Sequence, residues 1–141
     1  MSTDKYNLEG YYDPTAYEAL TSIEQEEKAV RSFWPLVYIC SPYSGDIGNN
    51  IKSARRYSRF AVDMGYIPIT PHLLYPQFLD DNNLAERSLG LFFGNVLMAK
   101  CAEVWVFGTY ISSGMKAEIE RAKRKKYPIR YFSEDCREVS G

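Results

Sequence analysis

Short strand-like runs, the first of them continuously apolar, alternate along this chain with segments of helical period, and that alternation constrains the fold more than any other feature. Residues 36–40 read LVYIC, 103–108 read EVWVFG and 127–132 read YPIRYF. A short run with no polar alternation is the pattern of a strand covered on both faces, whereas a half-exposed strand would alternate. A further strand is expected at 66–70, YIPIT, directly after a helix.

The segments between them carry helix signals. Asp13 followed by Pro14 starts a first helix running to about Arg31, with a stripe of Ala16, Leu20, Ile23 and Val30 that Glu27 interrupts. A second helix is expected from Asn50 to Met64, with Ile51, Ala54, Ser58, Ala61 and Val62 inward, Lys52, Arg55, Arg56 and Arg59 outward, and Gly65 as its stop. Asn83 and Glu86 have capping-box spacing before a third helix, whose inward stripe reads Leu84, Ser88, Leu91, Phe92, Asn95 and Ala99. A fourth helix is expected in SSGMKAEIERAKRKK, residues 112–126.

Strands that alternate with helices need crossover connections, so they pair in parallel with helices on both faces. The fold class expected is α/β: a single-domain flavodoxin-like or Rossmann-like parallel sheet of order 2-1-3-4 flanked by helices, with an extra N-terminal helix. The domain division expected is an acidic arm and helix over 1–33 and the α/β domain over 34–141. With this order the sheet reverses between its first and third strands, and ligands bind beyond the carboxyl ends of strands at such a point. That places SPYSGD (41–46), TPH (70–72) and GTYISSG (108–114) around one crevice.

Composition excludes several function classes. At 141 residues, 45% of them apolar, the chain can bury a core without a disulfide or a structural metal. It carries 17 Lys and Arg against 18 Asp and Glu, which argues against a mainly electrostatic nucleic-acid binder. The charge is unevenly placed: residues 1–28 hold seven acids and two bases, and residues 116–130 hold seven bases and two acids. Cys40, Cys101 and Cys136 form no C-x-x-C pair, and with His72 as the one histidine they match no zinc spacing, so no metal is expected. Neither an apolar leader nor an 18-residue apolar run is present, and the expectation is a cytoplasmic protein with reduced thiols and no membrane contact. The phosphate-loop pattern is absent, and Gly45 and Gly48 do not make G-x-G-x-x-G, so no nucleotide cofactor is expected.

The chemistry must then come from side chains at the crevice. Ser112, Ser113 and Gly114 open the fourth helix, where free amides and the positive end of the helix dipole suit an anion. Glu118 lies one turn further in, on the stripe of Met115, Ile119 and Ala122. A carboxylate on the apolar side is either a helix-edge partner of Arg121 or Lys116, or a desolvated nucleophile or base aimed at the crevice. Asn95 on the third helix needs partners if buried. His72 follows the second strand, and Tyr43 and Tyr110 offer stacking surface in the crevice loops.

Taken together, VYICSPYSGD, IPITPH, AKCAEVWVFG and SSGMKAEIERA resemble the nucleoside 2-deoxyribosyltransferase-like superfamily, which includes deoxynucleoside monophosphate N-glycosidases. The resemblance covers about residues 36–132, and its most specific part is S-x-G-x-x-x-E, from Ser112 to Glu118. It implies Glu118 as the nucleophile at the sugar anomeric carbon, with Tyr38 matching the tyrosine of the first strand, and Ser112 against a substrate phosphate. It further implies that the turn Ser41, Pro42, Tyr43, Ser44 and Gly45, together with His72, binds substrate; Ser113 and Gly114 at the helix start and Gly108 at the crevice are expected to bind substrate by their placement. One departure stands out: eight positions before Glu103, where catalytic members carry a second carboxylate, this chain has Asn95. An amide cannot deliver a proton. Asp46, Asp80, Asp81, Tyr38 and Glu118 itself remain as candidates for protonating the leaving base.

The expected function is cleavage or transfer of the N-glycosidic bond of a nucleoside or nucleoside monophosphate. The alternative is a nucleotide-binding or sensing protein that kept the crevice and lost turnover. A homo-oligomer is expected, because family crevices are commonly completed by a neighbouring subunit.

Overall fold

The computed structural model describes residues 21–25 and 34–141. The chain divides into two units, Met1–Trp34 and Pro35–Gly141. Of the first, residues 21–25 are helical and fall within the helix expected from Asp13 to Arg31. The rest of that helix and the acidic arm before it lie outside the described residues.

The second unit is built on five strands, β1 Leu36–Cys40, β2 Ile67–Ile69, β3 Glu103–Phe107, β4 Ile129–Phe132 and β5 Glu138–Val139. Their order is β2-β1-β3-β4-β5. The first four pair in parallel in the expected 2-1-3-4 order, with Tyr38 opposite Val104 and Val106 opposite Tyr131. The expected order is corrected by β5, which adds to β4 antiparallel. Two residues without an apolar pattern leave no periodic signal; β5 is held by Arg130, whose guanidinium grips the Glu138 carboxylate at 2.8 and 2.9 Å.

The sheet is covered on both faces, which explains why its central strands are apolar throughout. On one face Tyr38, Cys40, Val104 and Val106 pack under helix α2, Leu84–Ala99, through Met98, and under helix α3, Ser113–Arg124, through Met115, Ile119 and Ala122. On the other, Val37, Ile39, Trp105, Phe107 and Phe132 pack under helix α1, Ile47–Asp63, through Tyr57 and Ala61. Tyr57 stacks on Phe107 at 4.2 Å between ring centroids, and Phe107 on Phe132 at 5.1 Å. Burying each such ring contributes about 1.5–3 kcal/mol. The single acid in β1, β3 and β4, Glu103, accepts hydrogen bonds from Trp105 Nε1 at 2.9 Å and the Tyr66 hydroxyl at 3.0 Å.

Two helix readings are corrected. α1 begins at Ile47 rather than Asn50, because Asp46 caps it by accepting from the Asn49 amide; its buried residues are Ala54, Tyr57 and Ala61. The inward side of α2 is Gly94 and Met98, while Leu84, Leu91 and Phe92 are largely exposed. That helix is apolar nearly all the way round, so period alone did not define a face; close approach to the sheet chose the glycine. Gly65, at φ +84°, takes the left-handed conformation that ends α1, as expected. Among the described residues no helix is long and apolar enough to cross a membrane.

Candidate active site

A cavity of about 320 Å³ opens at the carboxyl ends of the central strands, within the size range of small-ligand sites. The topology accounts for its position. β1 lies between β2 and β3, so the loops leaving β1 and β3 diverge to opposite faces and leave a gap between them. Tyr43 and Ser44 from the loop after β1, His72 after β2, and Ser112, Ser113 and Gly114 after β3 all line it. Tyr38 and Glu118 line it as well.

These loops are held in place by specific bonds. Asn50, in the first turn of α1, donates through Nδ2 to the carbonyls of Tyr43 at 2.9 Å and Ser44 at 3.1 Å. The Ser58 and Thr70 hydroxyls meet at 2.7 Å, tying the end of β2 to α1 just before His72. The ring centroids of His72 and Tyr43 lie 5.2 Å apart, so the two loops touch through their rings. Ser112 caps α3, its hydroxyl oxygen accepting from the Met115 amide at 3.2 Å. The amides of Ser113 and Gly114 are thereby left at the helix start, with the positive end of the dipole facing the cavity.

Glu118 is the electrostatic centre of the site. Burial pushes its carboxyl from the ordinary carboxylate range up to about 7, and hydrogen bonding from Tyr38 and Cys40 pulls it part of the way back. Cys40 Sγ lies 3.8 Å from Glu118 Oε1. The same proximity acts in reverse on the partners: burial first, then the Glu118 charge, raises Tyr38 and Cys40 well above their ordinary values. Both therefore stay protonated as neutral donors at neutral pH. No ion pair joins Glu118 to Arg121 or Lys116 among the described residues. Burial likewise lowers His72, against an opposing pull from the Asp81 charge, so the imidazole is neutral at pH 7.

The far wall comes from the 71–83 connection and the start of α2. Pro71, Tyr75, Pro76, Leu79 and Asp81 line the cavity, followed by Glu86, Arg87, Gly90, Leu91, Gly94 and Asn95. Of these, the sequence singles out only Asp81 and Asn95 for chemistry. The connection is made of two short 3-10 turns, Pro71–Leu73 and Tyr75–Gln77, which carry no long-range pattern. The signal that could have found the α2 residues is the cap: Asn83 accepts from the Ala85 and Glu86 amides, and Glu86 turns back to accept from the Asp80 amide at 3.2 Å. That places the first turn of α2 against the crevice.

Five residues expected at the crevice stand elsewhere. Ser41, Pro42, Gly45, Gly108 and Tyr110 do not line the cavity, and Tyr110 is largely exposed. Ser41 is buried, and its hydroxyl has no hydrogen-bond partner among the described residues. Strand alternation carries Tyr38 and Cys40 to the cavity side of the sheet and its neighbours to the other, which accounts for Ser41. Gly45 and Gly108 hold left-handed turns at φ +95° and +91°, shaping the loops without presenting a side chain. Of the acids weighed as proton donors, Asp46 is engaged in capping α1 and Asp80 accepts from the Asn82 amide at 2.9 Å, while Asp81 lines the cavity.

The arrangement is that of a small-molecule site in a doubly wound α/β sheet, with a desolvated carboxyl at its floor. Residues 35–132 match the model of a family described as a domain of unknown function, DUF7768, and the chain belongs to that family. Comparison with curated proteins gives no match. Among solved structures the fold is similar to a 2-deoxyribosyltransferase from the psychrotolerant bacterium Bacillus psychrosaccharolyticus, with a TM-score of 0.59 at 14% identity over 69% of this chain and 71% of that one. At that identity the likeness is one of fold.

Proposed function

We propose that this protein cleaves or transfers the N-glycosidic bond of a nucleoside or nucleoside monophosphate, with Glu118 as the nucleophile. The observation that carries the reading is Glu118 itself: a carboxyl on the apolar side of α3, facing a cavity large enough for a nucleoside, and raised to about 7 by desolvation. A carboxylate so placed is poorly solvated when ionised, which makes it reactive toward an electrophilic carbon. The similar fold belongs to an enzyme described as a biocatalyst for the synthesis of nucleosides, in agreement with the resemblance of the S-x-G-x-x-x-E block.

In this mechanism Tyr38 holds the Glu118 carboxylate in line. One carboxylate oxygen attacks C1′ as the C1′–N bond breaks through an oxocarbenium-like transition state, and the base leaves with the bonding electron pair. The departing nitrogen takes a proton, for which Asp81 is the best-placed of the loop acids. Water, or the nitrogen of a second base, then attacks C1′ and releases the carboxylate. Tyr43 and His72 provide ring surface for the base, and the amides of Ser113 and Gly114 with the Arg87 guanidinium suit a 5′-phosphate. No cofactor or metal enters.

A panel of nucleosides and monophosphates, incubated with and without an acceptor base and followed by chromatography of free bases, tests the reading; a sugar adduct on Glu118 by mass analysis would identify the nucleophile. Failure of every substrate, with binding intact, favours the second reading, a nucleotide-binding or sensing protein. Asn95 in the cavity wall, where the resembling enzymes carry a carboxylate, is the observation behind that alternative. A homo-oligomer and a cytoplasmic location belong to the same proposal. Exposed Leu84, Leu91 and Phe92 on α2 and three free cysteines support them, and light scattering on the purified protein measures the first.

A further inference from the structure

Cys40 plays no part in that mechanism, yet it is the side chain seated beneath the carboxyl. It is fully buried at the end of β1. Its sulfur lies 3.8 Å from Glu118 Oε1 and 3.9 Å from the Met115 carbonyl oxygen in the first turn of α3. A thiol has one hydrogen, and the two acceptors compete for it. One of them changes charge and the other does not.

We propose that Cys40 is a positioning residue for Glu118, a two-position donor whose hydrogen faces Oε1 while the carboxyl is ionised and turns to the Met115 carbonyl once that charge is lost. The role rests on Glu118 being the nucleophile, because the charge is lost when the carboxylate becomes a glycosyl ester and returns when the ester is cleaved. The coupling between thiol and carboxyl is independent of that reading. A charged acceptor outcompetes a neutral carbonyl for the same donor. In the ester the carbonyl is the better acceptor, and because a thiol is a weak donor it leaves Oε1 at little cost, so it orients the carboxylate without quenching its nucleophilicity. Cys40 stays a thiol throughout, since burial and the Glu118 charge both oppose its ionisation. A serine, whose C–O bond is shorter than C–S, would set its hydroxyl farther from Oε1 than the sulfur, and an alanine supplies no donor.

The S–H stretching band reports this directly, in an infrared window free of other protein absorption, and the wild-type protein suffices. As pH rises through about 7, the range in which Glu118 titrates, the Cys40 band is expected to move to lower frequency. Its midpoint should match the carboxyl titration of Glu118 followed by carbon-13 NMR. Cys101, which donates to the Leu97 carbonyl at 3.3 Å, supplies a band that stays fixed. Cys40→Ala should remove the moving band and raise the Glu118 titration by roughly half a pH unit. In Glu118→Gln the band should no longer move. A Cys40 band that stays still while Glu118 ionises overturns the proposal, as does a Cys40→Ala protein in which Glu118 titrates as in wild type. A moving band with undiminished base release from Glu118→Gln would retire the nucleophile and leave the coupling standing; a fixed band with base release abolished would do the reverse.

Discussion

Gly94 of α2 runs so close to β1 that a Cβ at this position would stand 3.3 Å from the Tyr38 hydroxyl oxygen, tighter than an ordinary contact. The same hydroxyl is electrostatically coupled to the Glu118 carboxyl, each shifting the other's ionisation, so a change on α2 is transmitted to the acid on α3 through one tyrosine. Gly94→Ala should therefore separate stability from activity. Alanine is the better helix former by about 1 kcal/mol, which offsets the crowding. Displacing Tyr38 by a few tenths of an ångström misaligns Glu118, and base release should fall by about tenfold. Thermal melting beside a base-release assay checks this; equal activity in the two proteins would show that the contact does not matter.

Tyr38→Phe removes the hydroxyl while keeping the ring in the core. Hydrogen bonding from Tyr38 lowers the Glu118 carboxyl, so its loss lets burial raise the group further above 7. The nucleophile must be ionised, and the acidic limb of the kcat/KM profile should move toward higher pH by roughly one unit. The loss of rate is then large at pH 6 and small at pH 9. A profile displaced downward, or reduced equally at every pH, would mean that Tyr38 does not act through the carboxyl.

How far these relationships could be read in advance differs between elements. β1 and β3 were legible because burial on both faces forces an unbroken apolar run, and α3 because Met115, Ile119 and Ala122 keep a strict period that singles out Glu118. α2 was legible as a helix and not as an oriented one: Leu84, Leu91 and Phe92 suit an inward face equally well, and the choice fell to Gly94, where tertiary approach and not hydrophobicity decides. The wall formed by Tyr75, Leu79 and Asp81 lies on a 3-10 turn and the irregular turns that follow it, whose placement depends on contacts distant in sequence, so no local pattern pointed to it.

The raised Glu118 carboxyl also carries a stability consequence. Its folded value, about 7, exceeds the ordinary 4.5, so the folded chain holds this proton more tightly than the unfolded one. Between these two pH values the unfolded chain binds fewer protons, and stability falls as pH rises, reaching a constant deficit of about 3 kcal/mol above 7. Glu118→Gln removes the charge and should be more stable than wild type at pH 8 by an amount of that order, with the advantage fading toward pH 4. Urea unfolding of both proteins at the two pH values measures it. A Gln variant less stable at pH 8 would mean that the ionised carboxylate is well compensated in the fold.

Asn95 decides between the two functional readings. It lines the same cavity as Glu118 and Asp81, at the position where the sequence resemblance implies a second carboxylate in catalytic members. If proton delivery limits base departure, Asn95→Asp supplies a carboxyl group nearly isosteric with the amide, and general-acid assistance of this kind contributes about 100-fold or more. The variant should then release base faster, most of all at acidic pH where the new carboxyl is protonated, although Glu118 must still ionise; the two demands produce a bell-shaped profile. Should Asn95→Asp release base no faster than wild type while wild type turns over readily, the proton comes from elsewhere, and Asp81→Asn becomes the variant that must lose activity. If neither protein releases base from any substrate it binds, the site is a binding site, and its desolvated acid serves recognition instead of bond formation.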